Sequence, residues 1–251
     1  MKSIIATLKF AAFLGMTLSL YSLWFIAPWL RDENARRGLR EFIFKKWAQG
    51  FVWIAGARLR IIGTAPKPPF LLVSNHLSYF DVATLRSTAK GVFVAKADIE
   101  SWFAAGTMIR NMGMIYINRD NRRDIPRAGA EIIAALERGE GVIIFAEGTT
   151  SNGKQVLPFK SSFLEFAAAR DLPVYYASIS YQTRKCDSPA SEAVCWWREE
   201  SDFATHLFDL FKLQSFDCTI TFGSKPLRSK DRKILASVLQ KAVAEQFEPV
   251  N

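Results

Sequence analysis

The sequence is poor in the residues that build metal centres and covalent cross-links. Among 251 residues there are three cysteines and two histidines. Cys186, Cys195 and Cys218 form no C-x-x-C pair and are too few for a disulfide framework, so they read as free thiols in a reducing compartment, most simply as core filling. With only His76 and His206 beside them, no metal site is expected. A G-x-S-x-G elbow is also missing, which counts against Ser-His-Asp hydrolysis although Ser74 and Ser78 flank His76. The run Gly148-Thr-Thr-Ser-Asn-Gly153-Lys154 opens like a phosphate-binding G-x-x-x-x-G-K loop. Gln155, however, stands where a magnesium-binding Ser or Thr belongs, and Pro158 lies where the helix should run, which excludes nucleotide hydrolysis of that type. There is no internal repeat or low-complexity tract.

Acidic residues are scarce relative to basic ones: 24 against 33, for a net charge of +9. That balance favours an anionic partner, such as a membrane surface or a phosphorylated substrate. Nucleic acid would also fit the charge, but no recognised nucleic-acid module occurs, and none is expected as a partner.

Charge is absent altogether from Phe10 to Leu30, a run of 21 residues. That is long enough for a membrane helix. Lys2 and Lys9 precede it, Trp24 and Trp29 sit near its far end, and Arg31, Arg36, Arg37, Arg40, Lys45 and Lys46 follow. Interfacial aromatics and the basic flank place the following chain on the cytoplasmic face of the cell membrane. The length fits either a span or insertion into one leaflet. A cleaved signal peptide would start in a similar way, but no small-x-small cleavage site follows. Phe42 to Ala57 is apolar but carries Lys45 and Lys46, and reads as an amphipathic helix at the interface. Residues 1–62 are thus expected to form membrane-anchoring helices and residues 63–251 a second, catalytic unit. The Pro-rich stretch Pro66, Pro68, Pro69 marks the boundary.

Beyond it, short apolar runs alternate with longer helical patterns. Strands are predicted over 70–74, 91–95, 114–117, 142–146, 174–181 and 218–222. Helices are predicted over 81–88, 100–111, 123–137, 161–170, 203–213 and 231–247. This alternation argues for an α/β fold with a largely parallel sheet flanked by helices.

Three strand ends carry chemistry. The apolar run Leu71-Leu72-Val73-Ser74 leads into Asn75-His76, and Asp81 opens the next helix. A turn between them can return the carboxylate to the imidazole, fixing its tautomer and making it a better base. The spacing fits equally a structural His beside a helix-capping Asp. The strand Val142–Ala146 ends in Glu147, Gly148, Thr149, Thr150 and Ser151, a loop suited to a phosphate or oxyanion. The strand Met114–Ile117 ends in Asn118-Arg119, and Arg binds phosphate bidentately.

In this order and spacing the chain resembles the glycerolipid acyltransferase family of PlsC-type 1-acylglycerol-3-phosphate acyltransferases. Asn75, His76 and Asp81 match its N-H-x-x-x-x-D block. Gly113 to Arg119 match G-x-I-x-I-x-R, Phe145, Glu147, Gly148 and Thr149 match F-P-E-G-T-R, and Pro173-Val174 match the fourth block. Val94-Ala95-Lys96-Ala97 and Trp102 also fall where the family has a similar stretch. The resemblance implies an O-acyltransferase of membrane lipid synthesis. His76 would be the general base and Asp81 its orienting partner. Asn75, Arg119, Glu147, Gly148 and Thr149 would contact the acceptor. Acyl-CoA or acyl-carrier protein would be the co-substrate, membrane lipids the partners, and no cofactor would be needed. Ala146 replaces the usual Pro, Asn118 a frequent Asp, and Thr150 the usual Arg of the third block. The last change removes one phosphate ligand, which Lys154 or Lys160 could replace. The run 147–162 also resembles bacterial lyso-ornithine lipid acyltransferases, giving a second candidate acceptor. A lipid hydrolase or a non-catalytic lipid-binding protein is a more distant alternative. Oligomeric state leaves no mark on the sequence.

Overall fold

The computed structural model describes residues 2–97, 110–118, 124–196 and 202–251. The helix expected over 100–111 falls almost wholly outside them, as do Trp102, Arg119 and Arg123.

Among the described residues seven strands form one sheet. They are β1 (Ala57–Ile62), β2 (Phe70–Ser74), β3 (Val92–Lys96), β4 (Ile115–Ile117), β5 (Gly141–Phe145), β6 (Val174–Gln182) and β7 (Phe216–Phe222), arranged β1-β7-β6-β2-β5-β3-β4. Every pairing is parallel except β6 with β7. Strands β2 and β5 are buried at all five positions, because both faces of a parallel sheet are covered by crossover helices. Alternate residues feed two cores. Phe70, Leu72, Ile143 and Phe145 face one, and Leu71, Val73, Val142 and Ile144 the other. The first core is closed by α1 (Lys2–Ser22), α2 (Glu33–Ala55), α3 (Phe80–Thr88) and α7 (Phe203–Lys212). The second is closed by α4 (Asp124–Glu137), α5 (Glu165–Ala169) and α8 (Arg232–Glu245). A short helix, α6 (Ala190–Ala193), precedes the 197–201 segment. Cys195 and Cys218 are buried in the first core and Cys186 is exposed.

Three features differ from the sequence expectation. The interfacial stretch 42–57 is not a separate helix. It is the second half of α2, which starts at Asp32, whose side chain accepts from the amides of Asn34 and Ala35. Gly56, at φ 86°, ends α2 in the left-handed conformation and turns the chain into β1. β1 itself was not expected. Its Arg-Leu-Arg-Ile alternation looks polar, yet it joins the sheet as an edge beside β7, where Arg58 pairs with Asp217 at 2.7 and 2.9 Å. The expected helix over 161–170 is split into a 3-10 turn (Ser161–Leu164) and α5.

The uncharged run lies in α1 and the 3-10 turn Leu23–Trp29. The helical stretch Lys2–Trp29 is long and apolar enough to cross a membrane. One side of it rests lengthwise on the sheet domain. Phe13 packs on Phe51 with centroids 4.6 Å apart, and Trp47 donates to Thr17 at 3.2 Å. Lys9 Nζ donates to the carbonyls of Ala55 and Leu213 at 2.9 and 2.7 Å, and Lys2 pairs with Asp187 at 3.0 Å. The opposite side leaves Leu8, Leu18, Phe25 (77% exposed) and Trp29 (83%) uncovered, with Trp53 of α2 (79%) uncovered as well.

α2 and α3 are joined by a buried ion pair. Arg86 is 2% exposed; its Nη2 donates to Glu41 Oε2 at 2.7 Å and to the Glu41 carbonyl at 3.2 Å, and its guanidinium lies 5.0 Å from the Phe44 ring. Glu41→Ala leaves that cation buried without its carboxylate and is expected to lower stability by about 3 kcal/mol in urea unfolding. A shift below about 0.5 kcal/mol would show that the pair does not hold α3 to α2.

Candidate active site

The strand β2 ends with its side chains committed. Asn75 is fully buried; its Nδ2 donates to the Ile179 carbonyl at 2.9 Å and its Oδ1 accepts from the Ile179 amide at 2.8 Å. This clamps the end of β2 to β6 and leaves no exposed atom of Asn75 for the substrate contact expected of it. His76 follows with its side chain 18% exposed. Its ring lies flat on Phe145 at the end of β5, with centroids 3.9 Å apart and planes at 7°.

Asp81 lies in the first turn of α3 with no exposed surface. His76 Nδ1 donates to its Oδ2 at 2.7 Å, and the amides of Leu77 and Ser78 donate to the same oxygen at 2.6 and 2.9 Å. Tyr181 Oη donates to Oδ1 at 2.6 Å. Because a carboxylate here only accepts, Nδ1 carries the hydrogen and Nε2 presents a lone pair. The structure therefore brings His76 and Asp81 together as an oriented imidazole–carboxylate pair, beyond a helix cap alone. Tyr181 is not distinguished by the sequence, since a Tyr in an apolar strand reads as core. Burial, and then the charge of Asp81, push its phenol well above the ordinary range, so it stays a donor.

The β5 loop adds a second carboxyl. Glu147 is 2% exposed, and its Oε1 accepts from the Leu157 amide at 3.1 Å. Oε2 is buried without a hydrogen bond of normal geometry among the described residues. Desolvation pushes its pKa up to about 8 against the pull of the Leu157 and His76 amides, and Asp81 adds to the rise. Gly148 follows at φ 75°, in the left-handed region, where a Cβ would lie 3.0 Å from Lys160 Cδ. Thr149 is exposed beside it. The Ser151 amide donates to the His76 carbonyl at 3.1 Å, tying this loop to the histidine. Glu147, Gly148 and Thr149 are thus gathered around His76 and Asp81. Arg119 lies outside the described residues. It follows β4, which is three strands from β2, roughly 14 Å across the sheet at ordinary strand spacing.

Glu147 gives the site a pH signature. The unfolded chain releases this proton near 4.5 and the folded one near 8. Between those values the native state binds more protons, so its stability falls as pH rises through the window. Glu147→Gln is expected to remove that decline in unfolding free energy measured from pH 5 to 8; an unchanged slope would place the proton elsewhere.

The comparisons with known proteins point to one kind of enzyme. The sequence pattern of the Acyltransferase family matches residues 58–180. The chain is 28% identical over 246 residues to a lyso-ornithine lipid O-acyltransferase of Brucella abortus, covering 93% of this chain and 90% of that one. It is 34% identical over 143 residues to a 1-acyl-sn-glycerol-3-phosphate acyltransferase of Neisseria gonorrhoeae, which spans 53% of this chain and 56% of that one. In fold it is similar to the crystal structure of the 1-acyl-sn-glycerophosphate acyltransferase PlsC from Thermotoga maritima, with TM-score 0.62, 22% identity, and 94% and 97% of the two chains covered. The matched stretch begins within β1 and ends in β6, so it contains His76, Asp81 and the Glu147 loop. Residues 58–180 thus form a domain of the acyltransferase family, and the comparisons support the chain as an acyltransferase.

Proposed function

We propose that the chain moves a fatty acyl group from acyl-CoA or acyl-carrier protein to the free hydroxyl of a lysophospholipid, with 1-acylglycerol-3-phosphate as the first reading of the acceptor. The observation that carries it is the His76–Asp81 pair, with Nε2 free to accept a proton and the ring only partly covered. His76 takes the acceptor's proton as its oxygen attacks the thioester carbonyl. Collapse of the tetrahedral adduct forms the ester and breaks the C–S bond, and the imidazolium returns its proton to the departing thiolate. Asp81 stabilises that imidazolium and keeps the ring in one tautomer. Such a base contributes about 10²–10⁴-fold. The thioester is already activated, so alignment of the two substrates can supply much of the rest. No metal or prosthetic group takes part in this scheme.

Glu147, Gly148 and Thr149 are the proposed acceptor contacts, with Arg119 toward its phosphate. The Lys160 stem runs across Gly148, so its ammonium is available to replace the arginine absent at Thr150. A second reading, lyso-ornithine lipid as acceptor, is favoured by that same Thr150 and by a relative of that name aligned along nearly the whole chain. Both acceptors reside in a bilayer. The uncovered apolar side of α1, with Phe25, Trp29 and Trp53, is proposed to sit in the cytoplasmic leaflet, with the basic flank from Arg31 to Lys46 on anionic headgroups.

With a labelled acyl thioester and a panel of lysolipids, the wild-type chain is expected to acylate one of the two acceptors. His76→Ala should lose at least about 100-fold in rate while remaining folded; full activity in that variant would end the proposed mechanism. Replacing Phe25, Trp29 and Trp53 together by Ser is expected to move the protein from the pellet to the supernatant when it is sedimented with anionic vesicles. Unchanged co-sedimentation would contradict the proposed membrane face.

A further inference from the structure

The second histidine has no part in the scheme above. His206 lies on α7, outside the stretch shared with the family, and is 5% exposed. Its Nε2 is 3.1 Å from the Cys195 carbonyl, an atom that can only accept, so Nε2 carries the hydrogen. Nδ1 then offers its lone pair to Tyr79 Oη, 3.0 Å away, and the phenol donates. Burial lowers the pKa of His206, in keeping with a neutral ring; burial and then Asp209 hold that of Tyr79 well above the ordinary range. The Tyr79 ring is set edge-on against Trp196, Phe203 and His206, at 5.5, 4.7 and 5.5 Å between centroids.

Tyr79 belongs to the loop between His76 and Asp81. That loop is gripped from two sides. From inside, Asp81 Oδ2 takes the amides of Leu77 and Ser78. From outside, the Trp196 amide donates to the Leu77 carbonyl at 2.8 Å, and His206 takes the Tyr79 hydroxyl. His206 also lines an open pocket of about 380 Å³ with Cys195, Trp196, Asp209 and Lys212.

We infer that His206 is a positioning residue for acyl transfer: through Tyr79 it fixes the loop that sets His76 and Asp81 in register. The inference rests on the reading of His76 as the general base. A displacement of the base by about 1 Å can lower a rate by about 10²-fold, so a bond made from the short loop between the two partners is sufficient to matter.

The test compares Tyr79→Phe, His206→Leu and the double variant in steady-state acyl transfer, with vesicle-borne lysolipid as acceptor. Each single variant is expected to lose roughly tenfold in kcat with KM for both substrates within about twofold, and the double variant is expected to be no worse than either. His206→Asn places a carboxamide oxygen near the position of Nδ1. It should recover most of the rate when Tyr79 is present and make no difference in the Tyr79→Phe background. A wild-type kcat in Tyr79→Phe overturns the inference, as do losses that multiply in the double variant or a His206→Asn effect that ignores Tyr79. Tyr79→Phe removes one oxygen, so it carries the test if His206→Leu does not fold. His76→Ala in the same assay separates the two levels. If it is inactive while Tyr79→Phe is unaffected, only the positioning role falls; if it is active, the reading beneath that role falls.

Discussion

Asp81 has no surface in contact with water, and a carboxylate can be buried in that way only where donors replace its hydration. Four do so, and they come from different parts of the chain. His76 closes β2, Leu77 and Ser78 form the turn, and Tyr181 reaches over from β6, a hundred residues later in sequence. Each donor therefore constrains the loop as much as it satisfies the acid. The two amides fold the turn back over the first turn of α3, where a negative group is also favoured by the helix dipole. Tyr181 fixes which oxygen faces the histidine. With water excluded, the field of the carboxylate on the imidazole is far less screened than at the surface.

The same helix extends this order outward. α3 holds Asp81 in its first turn and carries Arg86 about one and a half turns later, where Glu41 and Phe44 of α2 hold it. α2 in turn packs on α1 through the Phe13, Trp47 and Phe51 rings. The far side of this pair exposes large apolar side chains to an extent unusual for a soluble surface. One packed layer thus separates the surface proposed to enter the leaflet from the helix that orients the proposed base. An acceptor held at the interface and a base held by α3 share one rigid frame.

How much of this was legible in the sequence varied with the range of the interaction. Strands β2 and β5 could be read from unbroken apolar runs, and the His76–Asp81 pairing from a spacing of five residues. β1 escaped because a short edge strand with Arg at alternate positions resembles a loop. Tyr181 and His206 escaped for a different reason: each meets its partner across 100 or more residues, at 2.6 Å to Asp81 and 3.0 Å to Tyr79. Nothing local distinguishes a core tyrosine from one that caps a carboxylate. Asn75 shows the converse. It stands within a family motif beside the proposed base, yet its amide serves the backbone of β6.

Glu147 was visible as an acid at a strand end, but its protonation state follows only from its surroundings. Asp81 has four donors; Glu147 has the Leu157 amide on one oxygen and only the weaker pull of the His76 amide besides. Burial therefore raises the Glu147 pKa to about 8. In the proposed reaction this difference is useful. One negative charge beside the histidine stabilises the imidazolium as it forms. A second would hold that proton too firmly for its return to the departing thiolate, since like charges add to the same cation's stability. The two carboxyls beside His76 thus differ by solvation: in the proposed reaction the one supplied with donors orients the base, while desolvation holds the pKa of the other up to about 8.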